Sequence, residues 1–168
     1  GGNHVCFFAC LVAQYQGYTE VFGECAGRRF EFLGEYDGFM LADDYAHHPT
    51  EIKATLSAAK ELDYNNVIAV FQPFTFSRTA LLKDDFIKAL SIADKVILTP
   101  IMGSREKNTY GIKSEDLAAG LHDVCVVDGF ENIADKIEEI AHPGDLVITM
   151  GGGDIYKAAH IIQGRHAE

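Results

Sequence analysis

The sequence predicts an α/β chain: a Rossmann-like three-layer αβα sandwich of about six strands, mostly parallel, with an antiparallel hairpin at one edge. Three observations carry this reading. Short apolar runs at Val67–Phe71, Lys95–Leu98, Asp123–Val127 and Leu146–Met150 alternate with stretches of helical periodicity, the order that builds βαβ units. The run Val67-Ile68-Ala69-Val70-Phe71 has no polar alternation, as expected of a parallel strand covered on both faces. Asp37-Gly38 stands between two strand-like runs, a strong signal for a two-residue hairpin turn.

Taken in order, residues 1–17 read as a short apolar helix with Val5, Phe8, Ala9, Val12 and Ala13 on one face and Gly17 at its end,. Residues 18–27 read as a connection. Arg28 to Gly34 is the first strand and Phe39 to Ala42 its return. Pro49 suits the first position of a helix, where its missing N–H costs nothing, and Ile52, Leu56 and Ala59 give that helix one apolar face to about Leu62,. A second helix is expected over Thr79–Leu90, and a polar loop over Met102–Lys113. A short helix follows with Ser114 as its N-cap. Helices are also expected over Glu131–Ile140 and Ile155–Ile162.

At 168 residues, with 48% hydrophobic and 23% charged residues, the chain has enough material for one full core. A formal net charge of −11 argues against nucleic acid or an anionic membrane surface as partner. No apolar run reaches the ~18–20 residues that span a bilayer. The four cysteines, Cys6, Cys10, Cys25 and Cys125, form neither a CxxC pair nor a zinc framework. Reduced thiols in a cytoplasmic protein are the expectation.

Three stretches carry chemistry. Leu41 to Glu51 joins a strand end to a helix start and crowds Asp43, Asp44, Tyr45, His47 and His48 together, where α/β proteins bind ligands. The two carboxylates point to opposite sides of the sheet; one could accept hydrogen bonds from a ribose or cap the following helix. Adjacent histidines are poorly spaced for a shared metal, so one reads as a polar contact to substrate and the other as a packing or capping residue. The second stretch, Phe71-Gln72-Pro73-Phe74-Thr75-Phe76-Ser77-Arg78-Thr79, puts Arg78 near a helix start, where it suits either a ligand carboxylate or phosphate or a surface salt bridge. The third is Gly151-Gly152-Gly153-Asp154, which fits an anion at a helix N-terminus or simply a tight turn. No GxxxxGK[ST] phosphate loop and no G-x-S-x-G elbow occurs,.

Together Arg28-Arg29-Phe30, Asp43-Asp44-Tyr45-Ala46-His47-His48-Pro49-Thr50-Glu51, Gln72-Pro73 with Ser77-Arg78-Thr79, Ser104-Arg105-Glu106-Lys107 and Gly151-Gly152-Gly153-Asp154 resemble the C-terminal domain of the Mur ligases. Within that family the likeness is greatest to the members that join L-alanine to UDP-N-acetylmuramate. The resemblance implies that residues 1–27 are a remnant of a central ATPase domain and residues 28–168 are the C-terminal domain. It also implies ATP-dependent amide formation in peptidoglycan synthesis, through an acyl phosphate that the amino acid's amine attacks. ATP and magnesium would be cofactors of the whole enzyme, held on the N-terminal and central domains, which would be this chain's partners, with none assigned to this chain alone.

By the same resemblance this domain closes over the site as a lid and contributes no catalytic group. Arg29, Asp44 and Tyr45 would contact the nucleotide, while His47 and Arg78 would hold the amino acid's carboxylate. His48, Gln72, Arg105 and Gly152 are weaker candidates. The sequence departs from the family at Asn3-His4-Val5-Cys6-Phe7 and at Phe74, a position usually held by histidine. Two alternatives are a recycling ligase that attaches a tripeptide, against which Gln72-Pro73 and Ser77-Arg78-Thr79 argue, and a stand-alone nucleotide-binding module.

Overall fold

The computed structural model describes residues 30–167. The expected helix in residues 1–17, the connection to residue 27 and Arg29 lie outside the described residues. The apolar runs form strands because a parallel sheet covered on both faces needs side chains that are apolar on both. These strands are β1 (Glu31–Tyr36), β2 (Phe39–Asp44), β3 (Val67–Phe71), β4 (Lys95–Leu98), β5 (Val124–Val126) and β6 (Leu146–Met150). They make one sheet in the order β1-β2-β6-β3-β4-β5. Only the β1–β2 pair is antiparallel.

The helices are α1 (Pro49–Glu61), α2 (Phe76–Leu81), α3 (Lys83–Leu90), α4 (Ser114–Ala118), α5 (Phe130–Ile140) and α6 (Tyr156–Arg165). The pleat sends Ala42, Ala69, Phe71, Ile148 and Met150 to one face, where they meet Ile52 and Leu56 of α1, Phe86 and Leu90 of α3 and Leu117 of α4,. Leu41, Ile68, Val70, Ile97 and Val147 go to the other face and meet Ile133 and Ile137 of α5 with Ala158, Ala159 and Ile162 of α6. The layers are therefore αβα, as the alternation of runs predicts.

At Asp37 and Gly38 φ is +48° and +86°, both positive as a type I′ turn requires. A Cβ on Gly38 would lie 2.7 Å from Pro143 Cβ, so the hairpin tip also packs on the turn before β6. Asp94 fastens α1 to the start of β3. Its carboxylate accepts from the Val67 N–H at 2.7 Å and from Lys60 Nζ at 2.9 Å. Partial desolvation pulls its pKa upward, but these donors win and hold it below the usual carboxylate range,.

Some boundaries differ from the expectation. The helix expected over Thr79–Leu90 begins at Phe76 and breaks at Leu82, giving α2 and α3. The early start comes from Thr75, whose Oγ1 accepts the Arg78 N–H and whose carbonyl accepts the Thr79 hydroxyl. Ser114 is not an N-cap. It is the first residue of α4, its hydroxyl donates to the Thr99 carbonyl, and the Lys113 N–H is taken by the Asp116 carboxylate at 2.8 Å. The first strand starts at Glu31 and contains an irregularity between Phe32 and Gly34, β5 is confined to Val124–Val126, and the last helix begins at Tyr156.

Gly164 lies within α6, and nothing is within 4 Å of a Cβ added there. Gly164→Ala should therefore raise unfolding free energy by about 0.5–1 kcal/mol through lower backbone entropy of the unfolded chain, as measured by urea denaturation.

Candidate functional site at the carboxyl edge

The connections after β2 and β3 lead to helices on one face, whereas the connection after β6 leads to α6 on the other. Because β6 lies between β2 and β3, a crevice opens at the carboxyl ends of these three strands, the place where open α/β sheets bind ligands.

The acidic pair closes β2. Asp43 and Asp44 are both buried and sit on opposite faces, as the pleat demands,. Asp43 accepts from the Thr149 hydroxyl at 2.7 Å. Asp44, 2% exposed, accepts from the Thr55 hydroxyl at 2.7 Å and from the Ala46 N–H at 3.0 Å. Neither carboxylate caps α1. Burial pushes the Asp44 carboxyl up to about 6; Thr55 and Ala46 oppose the rise, and the charges of Asp43 and Glu51 add to it,.

The two histidines hold different positions, and one of them is the cap. His48 is the N-cap of α1: its Nδ1 accepts the Thr50 N–H at 3.1 Å, while Glu51 Oε1 accepts the His48 N–H at 3.2 Å. This is a capping box built on an imidazole,, and it requires His48 to carry its proton on Nε2. His47 has the opposite tautomer. Its Nδ1 lies 3.0 Å from the Tyr45 carbonyl, which can only accept, so Nδ1 holds the proton. The neutral ring then presents Nε2 as an acceptor; only the imidazolium would donate there. The ring stands edge-on to that of Tyr45 at 5.1 Å, and Tyr45 is 41% exposed.

Gln72 is buried and reaches across to the glycine turn. Its Oε1 accepts from the Asp154 N–H at 3.0 Å and the Ile155 N–H at 3.1 Å, and its Nε2 donates to Asp154 Oδ1 at 2.9 Å. These N–H groups are therefore occupied by the protein itself and are not offered to an anion. Each glycine has its own neighbour. A Cβ on Gly151 would lie 3.0 Å from the Gln72 carbonyl oxygen, one on Gly152 3.4 Å from His47 Cβ, and one on Gly153 2.5 Å from Met102 Sδ and 2.6 Å from Gln72 Oε1.

Arg78 lies in the first turn of α2 and makes no ion pair among the described residues. The loop after β4 is clipped to the same turn by Glu106, which accepts from the Ser77 hydroxyl at 2.6 Å and the Ser77 N–H at 3.0 Å. These bonds, helped by the Arg78 charge, hold the Glu106 pKa below the usual carboxylate range. Arg105 is exposed on this clipped loop. Thr75 and Met102 join the two segments through the Thr75 N–H and Met102 carbonyl at 2.9 Å.

The structure thus brings Asp44, Tyr45, His47, His48, Gln72 and Gly152 to one edge, with Arg78 and Arg105 at its far side. Thr55, Thr149 and Met102 were not among the residues the sequence singled out, and Glu106 stood there only as part of the Ser104–Lys107 motif. Thr55 had a signal: it sits on the buried stripe of α1 with Ile52, Leu56 and Ala59, and a hydroxyl there needs a partner. Among the described residues no group of three His, Cys, Asp or Glu side chains is arranged to hold a metal ion.

Residues 28–153 match the Mur ligase, glutamate ligase domain family. The chain belongs to the Mur ligase family. Among curated Mur ligases, the UDP-N-acetylmuramate–L-alanine ligase of Caldicellulosiruptor saccharolyticus is 50% identical over 141 residues, covering 82% of this chain and 31% of that protein. The enzyme of the same name from Lachnospira eligens is 51% identical over 134 residues, covering 77% and 29%. The chain therefore spans less than a third of the length of these relatives. The crystal structure of UDP-N-acetylmuramate-alanine ligase from Thermotoga maritima superposes with a TM-score of 0.65 at 24% identity, covering 94% of this chain and 35% of that one. A murein peptide ligase from Psychrobacter arcticus gives 0.66 at 21%, covering 92% and 34%. These Mur ligase structures share its fold.

Because the Asp44 carboxyl titrates near 6 when folded and near 3.8 otherwise, the folded chain holds the extra proton between those values. Its unfolding free energy gains a contribution as pH falls through that window, up to about 3 kcal/mol. Asp44→Asn removes this contribution. The wild-type advantage over the variant, from urea denaturation at a series of pH values, should therefore grow on acidification. Gly153→Ala should destabilise the fold by about 1–3 kcal/mol through collision with Met102 and Gln72, read in the same assay.

Proposed function

We propose that this chain is the C-terminal, substrate-binding lid domain of an ATP-dependent UDP-N-acetylmuramate–L-alanine ligase. In this reading it contacts the nucleoside of ATP and the incoming amino acid, in a cytoplasmic enzyme of peptidoglycan synthesis. The observation that carries the reading is half-identity to ligases of that name across four-fifths of this chain.

Arg78, which makes no close ion pair among the described residues, supplies a guanidinium for the amino acid's carboxylate, a pairing favoured by charge. His47 adds a second contact to the same molecule. With its Nδ1 proton committed to Tyr45, the neutral ring accepts at Nε2, which suits the amine end better than the carboxylate. Tyr45 offers an exposed ring beside the nucleoside base,, and Arg29 a further nucleotide contact. Asp44 serves the nucleotide side too. Its two oxygens already hold Thr55 and Ala46, so its first effect is to fix the turn that carries Tyr45 and His47. ATP and magnesium supply the phosphoryl chemistry of the whole enzyme, and this chain orients what reacts.

The 168-residue chain alone should release no phosphate from ATP in the presence of UDP-N-acetylmuramate and L-alanine; release would overturn the lid reading. Calorimetry with ATP and ADP separates the rival: tight binding by the isolated chain marks a self-sufficient nucleotide module. Exchanged for the matching third of the Caldicellulosiruptor enzyme, the chain should support ligation. In that hybrid Arg78→Ala should raise the KM for L-alanine by about tenfold to a hundredfold, the loss of one charge-assisted contact, with little change in the KM for ATP.

A further inference from the structure

Three consecutive glycines carry no side chains, so nothing of their own can hold the turn between β6 and α6 in one shape. The hold comes from β3. Gln72 Oε1 takes the Asp154 and Ile155 N–H groups, Gln72 Nε2 donates to Asp154 Oδ1, and the Gly151 N–H donates to the Asp44 carbonyl at 3.3 Å. The middle glycine of this pinned turn borders the His47 side chain: a Cβ added to Gly152 would just touch it, 3.4 Å from His47 Cβ and Cγ and 3.6 Å from Nδ1. The ring also meets the Tyr45 carbonyl, the Tyr45 ring and, at 3.6 Å, Oε1 of Glu51 in the first turn of α1.

We infer that Gln72 is a positioning residue for His47: by plugging the glycine turn it fixes the wall on which the imidazole rests, and so keeps Nδ1 on the Tyr45 carbonyl and Nε2 free for the ligand. The inference rests on the proposed role of His47 in binding the amino acid, but the positioning itself does not depend on that role. The chemistry also explains the amide at this place. Oε1 must accept from two N–H groups while the other terminal atom donates to a carboxylate. A glutamate would satisfy the first demand and set a second carboxylate against Asp154.

The test is a nitrogen and proton NMR record of the His47 ring in the full 168-residue chain, with His122 and His142 as reporters outside the crevice. The wild type should show a single His47 tautomer protonated at Nδ1. Gln72→Met, which keeps the bulk and removes all three hydrogen bonds, should replace it by a tautomer mixture with broadened ring signals, leaving His122 and His142 unchanged. Gln72→Glu should do the same. Gln72→Glu combined with Asp154→Asn, which restores one donor and one acceptor, should return the single tautomer and guards against a Gln72→Met chain that fails to fold.

If the His47 signals stay at their wild-type positions in Gln72→Met while the Asp154 and Ile155 amides move, the positioning role is overturned. It is overturned equally if the double variant folds and does not restore the tautomer. A parallel titration with L-alanine reads the other premise in the hybrid enzyme. Unmoved His47 signals there, with the tautomer still lost in Gln72→Met, would sink the amino-acid role and leave the positioning intact.

Discussion

The carboxyl edge depends on one constraint: β6 is wedged between two strands whose connections leave by the opposite face. Pairing with β2 on one side and β3 on the other leaves every residue of β6 buried. The same pairing brings the ends of three strands into register, with Asp44, Phe71 and Met150 abreast. The loops that follow must then splay apart, because α1 and α6 pack on different faces. A crevice is what remains between them. His47, Gln72 and Gly152, far apart in sequence, meet there because the three strands end at the same height.

Around that crevice the protein spends most of its polar groups on itself. Asp44 on Thr55, Gln72 on the glycine turn, His48 on the start of α1 and Glu106 on Ser77 are all internal bonds. They tie the strand ends, the glycine turn and the loop after β4 to their neighbours. Among the described residues, the Tyr45 ring, the Nε2 of His47 and the guanidinium groups of Arg78 and Arg105 take no part in these bonds. A ligand meets a surface already ordered by its own hydrogen bonds, which lowers the entropy lost on binding.

The sheet was legible in the sequence because its strands are unbroken apolar runs and its hairpin carries Asp-Gly. The periodicity of α1 was equally plain. What could not be read was the break at Leu82, since Leu82, Phe86 and Leu90 keep helical spacing across it, and the role of Ser114, whose hydroxyl finds a carbonyl on β4 that no local pattern reveals. At the site, motif and family likeness supplied the candidate residues, while the direction of each hydrogen bond was invisible. Adjacent histidines look alike in a sequence, yet their tautomers are opposite because one faces a carbonyl oxygen and the other a helix N–H. The glycine turn fitted an anion or a tight turn equally well, and only the fold shows that Gln72, about eighty residues earlier, takes the Asp154 and Ile155 N–H groups,.

The central place of β6 also bears on how the chain folds. Its partners on β2 lie more than a hundred residues earlier, as the 106-residue separation of Asp43 and Thr149 records. Contacts so distant in sequence slow folding, because a long loop must close before they form. Until residues 146–150 arrive, the β1–β2 hairpin and the β3–β4–β5 sheet have no direct pairing, and each shows a bare edge toward the gap. Such edges accept a strand from any source. Because β6 is the last strand in the chain it is also the last to emerge, and exchange of this one strand between copies is the misfolding route the topology leaves open.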